Sequence, residues 1–425
     1  MPPQELIDAI VDFVPDKPSL EACAISARAF VAPAQRRLFQ RLELPRRDPF
    51  DPTSFERSQK HLQRAATMFY SSSPHLADFV LDLEIADGNS DCGPMLTLLR
   101  SLHKVRRLRF RGTLEFDYSD VFYSGLIDFI RQPSMQTIVL DVRTDGASAL
   151  FTAALKFCRN ICVNLRTYED GHDIVPGNIQ EHADEGADVP QPIENLIMAR
   201  SSGMSARLLR PELKKHLRRV QRADIYRPDE TLLASLASSC SALTTVAIQH
   251  WVPPSTGTAW LSSLRFPTVT LFELSLPMDG MWHIRLAEVV PQLSSCFPNI
   301  AELRLHFSLF VPPSSATNDP RYAELDTPLS DFISDSKRKV NIILRYMGNI
   351  EHFPTARFRG YFDGVLPRTR RRGGLAIFHS PKVPTCPDWD PEDDSYGVLP
   401  LDRVGRAAGV AVYGEEMDGT GLLAL

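Results

Sequence analysis

Val105-Arg106-Arg107-Leu108-Arg109-Phe110 alternates apolar and basic side chains, the period-two pattern of a strand with one face against a core. The same local form returns in Met135-Gln136-Thr137-Ile138-Val139-Leu140 and in Ile300-Ala301-Glu302-Leu303-Arg304-Leu305. Each follows a stretch with helical apolar spacing: Met95–Leu102, Gly125–Arg131 and Ile284–Cys296, with a further one at Glu230–Cys240. Working outward, the pattern predicts strands over Phe79–Ile85, Val105–Arg111, Gln136–Val142, Val220–Tyr226, Leu243–Gln249, Val269–Leu276, Asn299–Phe307, Val340–Tyr346 and Gly374–Phe378. Where it is clearest, successive runs lie about 25 to 31 residues apart. A unit of one apolar strand and one amphipathic helix cannot bury its faces alone, so such units must stack, with their strands parallel.

That period is near the roughly 20–29 residues of leucine-rich repeats. With its L-x-L pairs, the region 76–379 resembles a degenerate leucine-rich-repeat solenoid, although the asparagine that usually follows the strand is missing from most units. The resemblance implies an α/β fold of alternating strands and helices, with a parallel sheet lining a concave binding side. A non-repetitive α/β domain would show similar alternation.

The first 44 residues read differently. Leu6, Ile7, Ile10, Val11 and Val14 recur at three- and four-residue spacing, so they share one side of a helix that Pro15 ends. A second short helix is expected from Pro18, burying Leu20, Cys23 and Ala24, and a third from near Phe30 or Pro33, gathering Phe30, Ala34, Leu38 and Phe39. Three helices this short enclose little core, and domains of about 40 residues usually need a staple or a partner. Pro3-x-Glu5-Leu6-Ile7 with Ile10, Pro18-Ser19-Leu20-x-Ala22-Cys23, Ser26-x-Arg28-x-Phe30 and Arg37-Leu38-Phe39 together resemble an F-box. The sequence departs from that pattern at Pro2, at Ser26-Ala27 and at Phe30, where leucine, Val-Cys and tryptophan are frequent. The resemblance implies docking on the Skp1 adaptor of a cullin-based ubiquitin ligase, through Pro3, Glu5, Leu6, Ile7, Ile10, Leu20, Cys23, Ala24, Arg28 and Phe30.

The rest of the chain divides by composition. Residues 45–75 read as a proline- and serine-containing linker around one helical stretch, Ser58–Phe69. Residues 167–192 hold seven acidic residues and no lysine or arginine, the signature of an exposed loop inserted in the repeats. Residues 380–425, rich in proline and with the acidic run Asp388–Asp394, are expected to form a disordered or loosely attached tail. A hydrophobic content of 43%, a charged content of 23% and a net charge of -5 are those of a soluble globular protein, and give no sign of nucleic-acid or membrane-surface binding. Seven scattered cysteines argue against a disulfide framework. With no signal-like N-terminus and no Asn-x-Ser/Thr acceptor, a cytoplasmic or nuclear location is expected.

Catalytic signatures are missing. There is no phosphate-cradling glycine loop, no Gly-x-Ser-x-Gly elbow, no His-Glu-x-x-His and no Cys-x-x-Cys, so neither an enzyme nor a bound cofactor is expected. Cys158 and Cys162, four apart, with His172 beyond them, read as core cysteines more readily than as metal ligands. Three basic runs stand out: Lys104–Arg111, Lys214–Arg222 and Arg368–Arg372, the last expected to be a loop. Arg107, Arg109 and Arg111 of the first would line one strand face, where they could select an acidic or phosphorylated protein. The sequence therefore supports a non-enzymatic substrate adaptor that joins Skp1 and cullin to a protein target. The competing reading is a repeat-type interaction scaffold with no ligase role.

Overall fold

In a computed structural model, the described residues are 3–14, 16–44, 51–86, 92–112, 120–142, 147–165, 192–199, 211–226, 228, 230–249, 261, 263–276, 282–309, 320–334, 338–346, 366–380 and 410–413. They form two compact units, Met1–Gln191 and Pro192–Leu425.

The first unit opens with three helices, α1 (Gln4–Asp12), α2 (Lys17–Ser26) and α3 (Arg28–Phe39). Asp16 caps α2, its carboxylate accepting the Ser19 N–H at 2.8 Å, and Pro18 occupies the first turn, where no donor is lost. Pro33 lies inside α3, so the carbonyl of Ala29 has no N–H four residues on. Gln4 from α1 supplies one, its Nε2 donating to that carbonyl at 3.4 Å. Arg37 donates to the Val14 carbonyl at 3.2 Å and Arg36 lies 3.6 Å from Asp8, so three polar contacts tie the end helices together around an apolar centre.

Five parallel strands follow in chain order: β1 (Arg41–Leu44), β2 (Asp82–Ala86), β3 (Arg107–Gly112), β4 (Thr137–Val142) and β5 (Asn160–Leu165). The helices between them are α4 (Pro52–Thr67), α5 (Cys92–Ser101), α6 (Asp120–Ile130) and α7 (Ala147–Phe157). A π-helical turn, Met68–Ser72, and a 3-10 turn, Pro74–Phe79, lead from α4 into β2. Two side-chain ladders run across the strands, Leu42-Leu83-Leu108-Ile138-Ile161 and Leu44-Ile85-Phe110-Leu140-Val163. These are the alternate positions that face the helices, and from β2 onward they are all buried.

The second unit repeats the plan with β6 (Asn195–Ala199), β7 (Arg222–Tyr226), β8 (Thr245–Gln249), β9 (Leu271–Leu276), β10 (Glu302–Leu309), β11 (Lys339–Tyr346) and β12 (Leu375–Ser380), parallel and in chain order. Its helices are α8 (Pro211–Leu217), α9 (Glu230–Ser239), α10 (Trp282–Cys296), α11 (Pro320–Ser334) and α12 (Pro367–Arg371). Its ladders are Ala223-Val246-Phe272-Leu303-Val340-Leu375 and Ile225-Ile248-Leu274-Leu305-Ile342-Ile377. A last short strand, β13 (Val410–Tyr413), pairs antiparallel with β12.

A backbone device recurs just before the strands. The Gln40 carbonyl accepts the N–H groups of Leu81 and Asp82, Leu81 those of Arg106 and Arg107, Arg106 those of Gln136 and Thr137, and Gln136 those of Arg159 and Asn160. In the second unit Gln221 accepts from Thr244 and Thr245, Thr244 from Thr270 and Leu271, and Thr270 from Ala301 and Glu302. One carbonyl thus serves two amides of the next repeat, whatever side chain stands there. Stacking in these units is held by main chain, so the sparse asparagines leave the repeat intact. The alternation of parallel strand and helix resembles a leucine-rich-repeat solenoid.

The nine predicted strands are all present, displaced by three residues at most at either end; β1, β5, β6 and β13 were not anticipated. The sequence boundaries need three corrections. The predicted module 1–44 ends inside the sheet, because β1 pairs along its length with β2 and Leu44 is buried. The predicted linker 45–75 holds the first repeat's helix, α4, capped by Asp51 at 2.8 Å from the Thr53 N–H, and the adjoining turn seats Phe69 edge-on to Phe39 at 6.2 Å. Finally, Arg368–Arg372 forms α12 and its exit turn instead of a loop. The predicted acidic loop lies outside the described residues save Pro192, and of the predicted tail only Ser380 and β13 lie within them.

Candidate interaction surfaces

The apolar side of α1 is broader than one neighbour can cover. Ile7, Val11 and Val14 turn inward, Val11 joining Leu20 and Ala34 in the centre of the three helices, with Val14, Cys23, Ala24, Phe30 and Leu38 packed around it. Leu6, Ile10 and Phe13 repeat at the same four- and three-residue intervals one position earlier, and they stay outside, 55%, 55% and 88% exposed. Ile25, near the end of α2, is 88% exposed as well. Of seven large apolar side chains exposed among the described residues, four therefore lie within the first 25 positions. Single exposed apolar groups are ordinary; a stripe of three on one helix is not.

The predicted contact set splits accordingly. Pro3, Glu5, Leu6, Ile10 and Arg28 are exposed. Cys23, Ala24 and Phe30 are half-buried against the module's own centre. Ile7 and Leu20, at 3% and 6% exposure, are interior residues that support the surface from beneath, which corrects their assignment as contacts. Phe13 and Ile25 escaped the sequence reading, although Phe13 follows Leu6 by seven residues and so completes its stripe.

On the strands of the first unit, the positions alternating with the ladders carry charge. Glu84 of β2 is the hub: Arg41 of β1 lies 3.0 Å away, Arg109 of β3 3.4 Å and Arg111 3.5 Å. Arg41 also pairs with Glu43 at 2.7 Å. The structure brings Arg107, Arg109 and Arg111 to one strand face as expected, but the last two share a carboxylate from the neighbouring strand. One carboxylate thus meets three guanidinium groups, and the stripe keeps a net positive charge.

The second unit carries the same device more deeply buried. Glu273 of β9 receives both terminal nitrogens of Arg222 from β7 at 3.3 and 3.2 Å and Arg304 of β10 at 3.1 Å; His306 lies 3.6 Å away. Arg222 also meets Asp224 at 3.1 Å, and Arg304 meets Glu302 at 2.6 Å, which in turn accepts from Asn341 of β11 at 2.5 Å. Burial would raise the pKa of Glu273, but His306 and Arg222 outweigh it and hold the carboxyl down to about 2. Asp224, 1% exposed, goes the other way: burial pushes it up to about 6 against the pull of Arg222. Arg222 is raised, its own burial being outweighed by Asp224 and Glu273.

These groups form a ladder of ion pairs across the strands. Burial pushes the thiols of Cys158 and Cys240 up to about 12 and that of Cys296 up to about 11, which leaves them protonated and unreactive at neutral pH. Cys158 and Cys162 are core residues, and His172 lies outside the described residues. Among the described residues no group of three or more His, Cys, Asp or Glu is placed to hold a metal ion. A small apolar void between Phe272, Phe297 and Leu293, with about 10 Å³ of free space, is smaller than any organic ligand. No described helix is long and apolar enough to cross a membrane.

No family model matches the sequence, and no curated protein matches it. Among solved structures, the leucine-rich repeat-containing protein LegL7 from Legionella pneumophila is similar over 80% of this chain and 90% of its own, at 11% identity and a TM-score of 0.43. The repeat reading rests on the strand ladders and the shared-carbonyl contacts.

Proposed function

We propose that this protein is a substrate adaptor of a Skp1-cullin-F-box ubiquitin ligase. In this reading α1–α3 dock on Skp1, and the strand-and-helix repeats hold a protein target. The observation that carries it is the exposed stripe Leu6, Ile10 and Phe13, with Ile25, on a helical module whose own centre is already filled by Val11, Leu20 and Ala34. A cap whose only role was to close the repeats would turn its broadest apolar side inward; here half of that side faces solvent. The adaptor contributes no catalytic group. It raises the local concentration of a target lysine near the conjugating enzyme.

The test is co-purification of Skp1 with the full chain and with the Leu6→Asp/Ile10→Asp double variant. Both positions are exposed, so the variant keeps its fold and its thermal transition within about 0.5 kcal/mol of stability, and it loses Skp1. Skp1 retained by the variant, or absent from the wild-type protein, overturns the proposal. In the second case the repeats remain as an interaction scaffold without a ligase role, a reading that the extended strand-and-helix architecture supports by itself.

A further inference from the structure

Of the three basic runs in the sequence, the first two each have members that meet a carboxylate. Lys104 lies 3.3 Å from Asp78, Arg109 and Arg111 share Glu84, and Arg222 is enclosed by Asp224 and Glu273. In the third run Arg368, Arg371 and Arg372 are exposed, and none of them pairs with a carboxylate among the described residues. Arg368 Nη1 donates to the neutral hydroxyl of Thr327 at 2.9 Å, and Arg370 is engaged within the protein.

The backbone carrying these arginines is pinned at both ends. Buried Asp326 of α11 accepts the N–H of Arg368 at 2.9 Å, the N–H of Thr369 at 2.8 Å and the Thr369 hydroxyl at 2.8 Å. The buried carboxylate of Asp326 is thus committed to the start of α12. At the other end Gly373 and Gly374 take φ of 66° and 89°, and a Cβ on Gly374 would stand 3.1 Å from the Arg338 carbonyl. The turn into β12 is therefore sharp and fixed, and little main-chain order remains to be lost on binding.

We propose that Arg368, Arg371 and Arg372 form a docking point for a phosphorylated protein segment. Three uncompensated charges within five residues call for a ligand of high negative charge density, and a phosphoryl group carries about -1.5 to -2. Every basic residue in the run is arginine, whose planar fork engages phosphate oxygens two at a time. None of the large apolar side chains exposed among the described residues lies in the second unit, so among those residues neither a base-stacking platform nor a membrane-inserting side chain accompanies the arginines. The inference does not depend on Skp1 docking; where both hold, it names the class of target.

The experiment uses the full chain and a fluorescein-labelled Gly/Ser peptide bearing two phosphoserines, followed by fluorescence anisotropy. The phosphopeptide binds, its unphosphorylated twin does not, and the Arg368→Gln/Arg371→Gln/Arg372→Gln variant binds at least tenfold more weakly. Arg372→Gln alone, beyond the helix and safe for the fold, weakens binding about threefold. Lys215→Gln/Arg218→Gln, in another basic run, leaves it unchanged. Equal binding of the two peptides, equal loss in the Lys215/Arg218 variant, or tighter binding of oligouridylate or of phosphatidylserine vesicles than of the phosphopeptide overturns the inference. A failure here leaves the Skp1 assay untouched, since the two use different residues and different readouts.

Discussion

The outer side of α1 and the charged face of strands β7 to β11 treat their surplus chemistry in opposite ways. On the strands, charged side chains that miss the apolar core meet a counter-charge on their own or a nearby strand: Asp224 with Arg222, Arg222 with Glu273, Glu273 with Arg304, Arg304 with Glu302. On α1, the residues that miss the core are Leu6, Ile10 and Phe13, and nothing in the module covers them. The strands close their account internally, whereas the helices leave apolar surface that water solvates poorly. A partner is therefore sought at the helices, and the ladder is read as part of the fold.

That contrast can be broken from the strand side first, where the largest effect is expected. Glu273→Ala removes the carboxylate that Arg222 and Arg304 share, leaving Arg222 with Asp224 and Arg304 with Glu302, and removing one member of a buried ion-pair network costs up to about 3–5 kcal/mol. Urea unfolding of the full chain should show the loss in the transition assigned to the second unit, and a loss below about 1 kcal/mol would mean the ladder is solvated and structurally idle. On the helix side the same logic gives a matched pair. Leu20→Ala empties the module's centre at a cost of about 2–4 kcal/mol, while Ile10→Ala stays within about 0.5 kcal/mol. Equal losses at the two positions would erase the distinction between support and surface.

Acidity sharpens the comparison with the smallest of these effects. Asp224, raised to about 6, contributes stability that is fully present below its unfolded value near 3.8 and is lost as pH rises through 6. Glu273, held at about 2, contributes stability present above 4.5 and lost as pH falls toward 2. Asp224→Asn should therefore become more favourable, relative to wild type, by roughly 2–3 kcal/mol between pH 4 and pH 7. Chemical unfolding at these two pH values checks it, and a pH-independent difference would show that Asp224 is ionised throughout. Leu6→Asp/Ile10→Asp, in the first unit, should leave the profile between pH 5 and 8 unchanged.

Much of the architecture was legible because alternation is a local property. A strand such as Leu271-Phe272-Glu273-Leu274 shows its buried and outward sides in its own residues, and all nine such runs formed strands. Strands β5 and β6 were not legible: Asn160–Leu165 and Asn195–Ala199 are short and flank the acidic stretch, and what makes them strands is the carbonyl and the apolar ladder offered by their neighbours. Charge pairing was invisible for the same reason. Glu84 and Glu273 sit mid-strand like any polar residue, and only register places an arginine beside each on the adjoining strand. The α1 stripe was half legible. Helical spacing grouped Leu6, Ile7, Ile10, Val11 and Val14, but spacing cannot say which part of a broad apolar side the protein covers for itself. Packing decided that Ile7, Val11 and Val14 are taken and Leu6, Ile10 and Phe13 are left.

The most direct measurement is calorimetric titration of purified Skp1 into the full chain at two or more temperatures. The adaptor account predicts saturable binding with a negative heat-capacity change, as Leu6, Ile10, Phe13 and Ile25 leave water, and no heat of binding for Leu6→Asp/Ile10→Asp. Wild-type protein that gives no binding heat, or a double variant that binds as well as wild type, would contradict it.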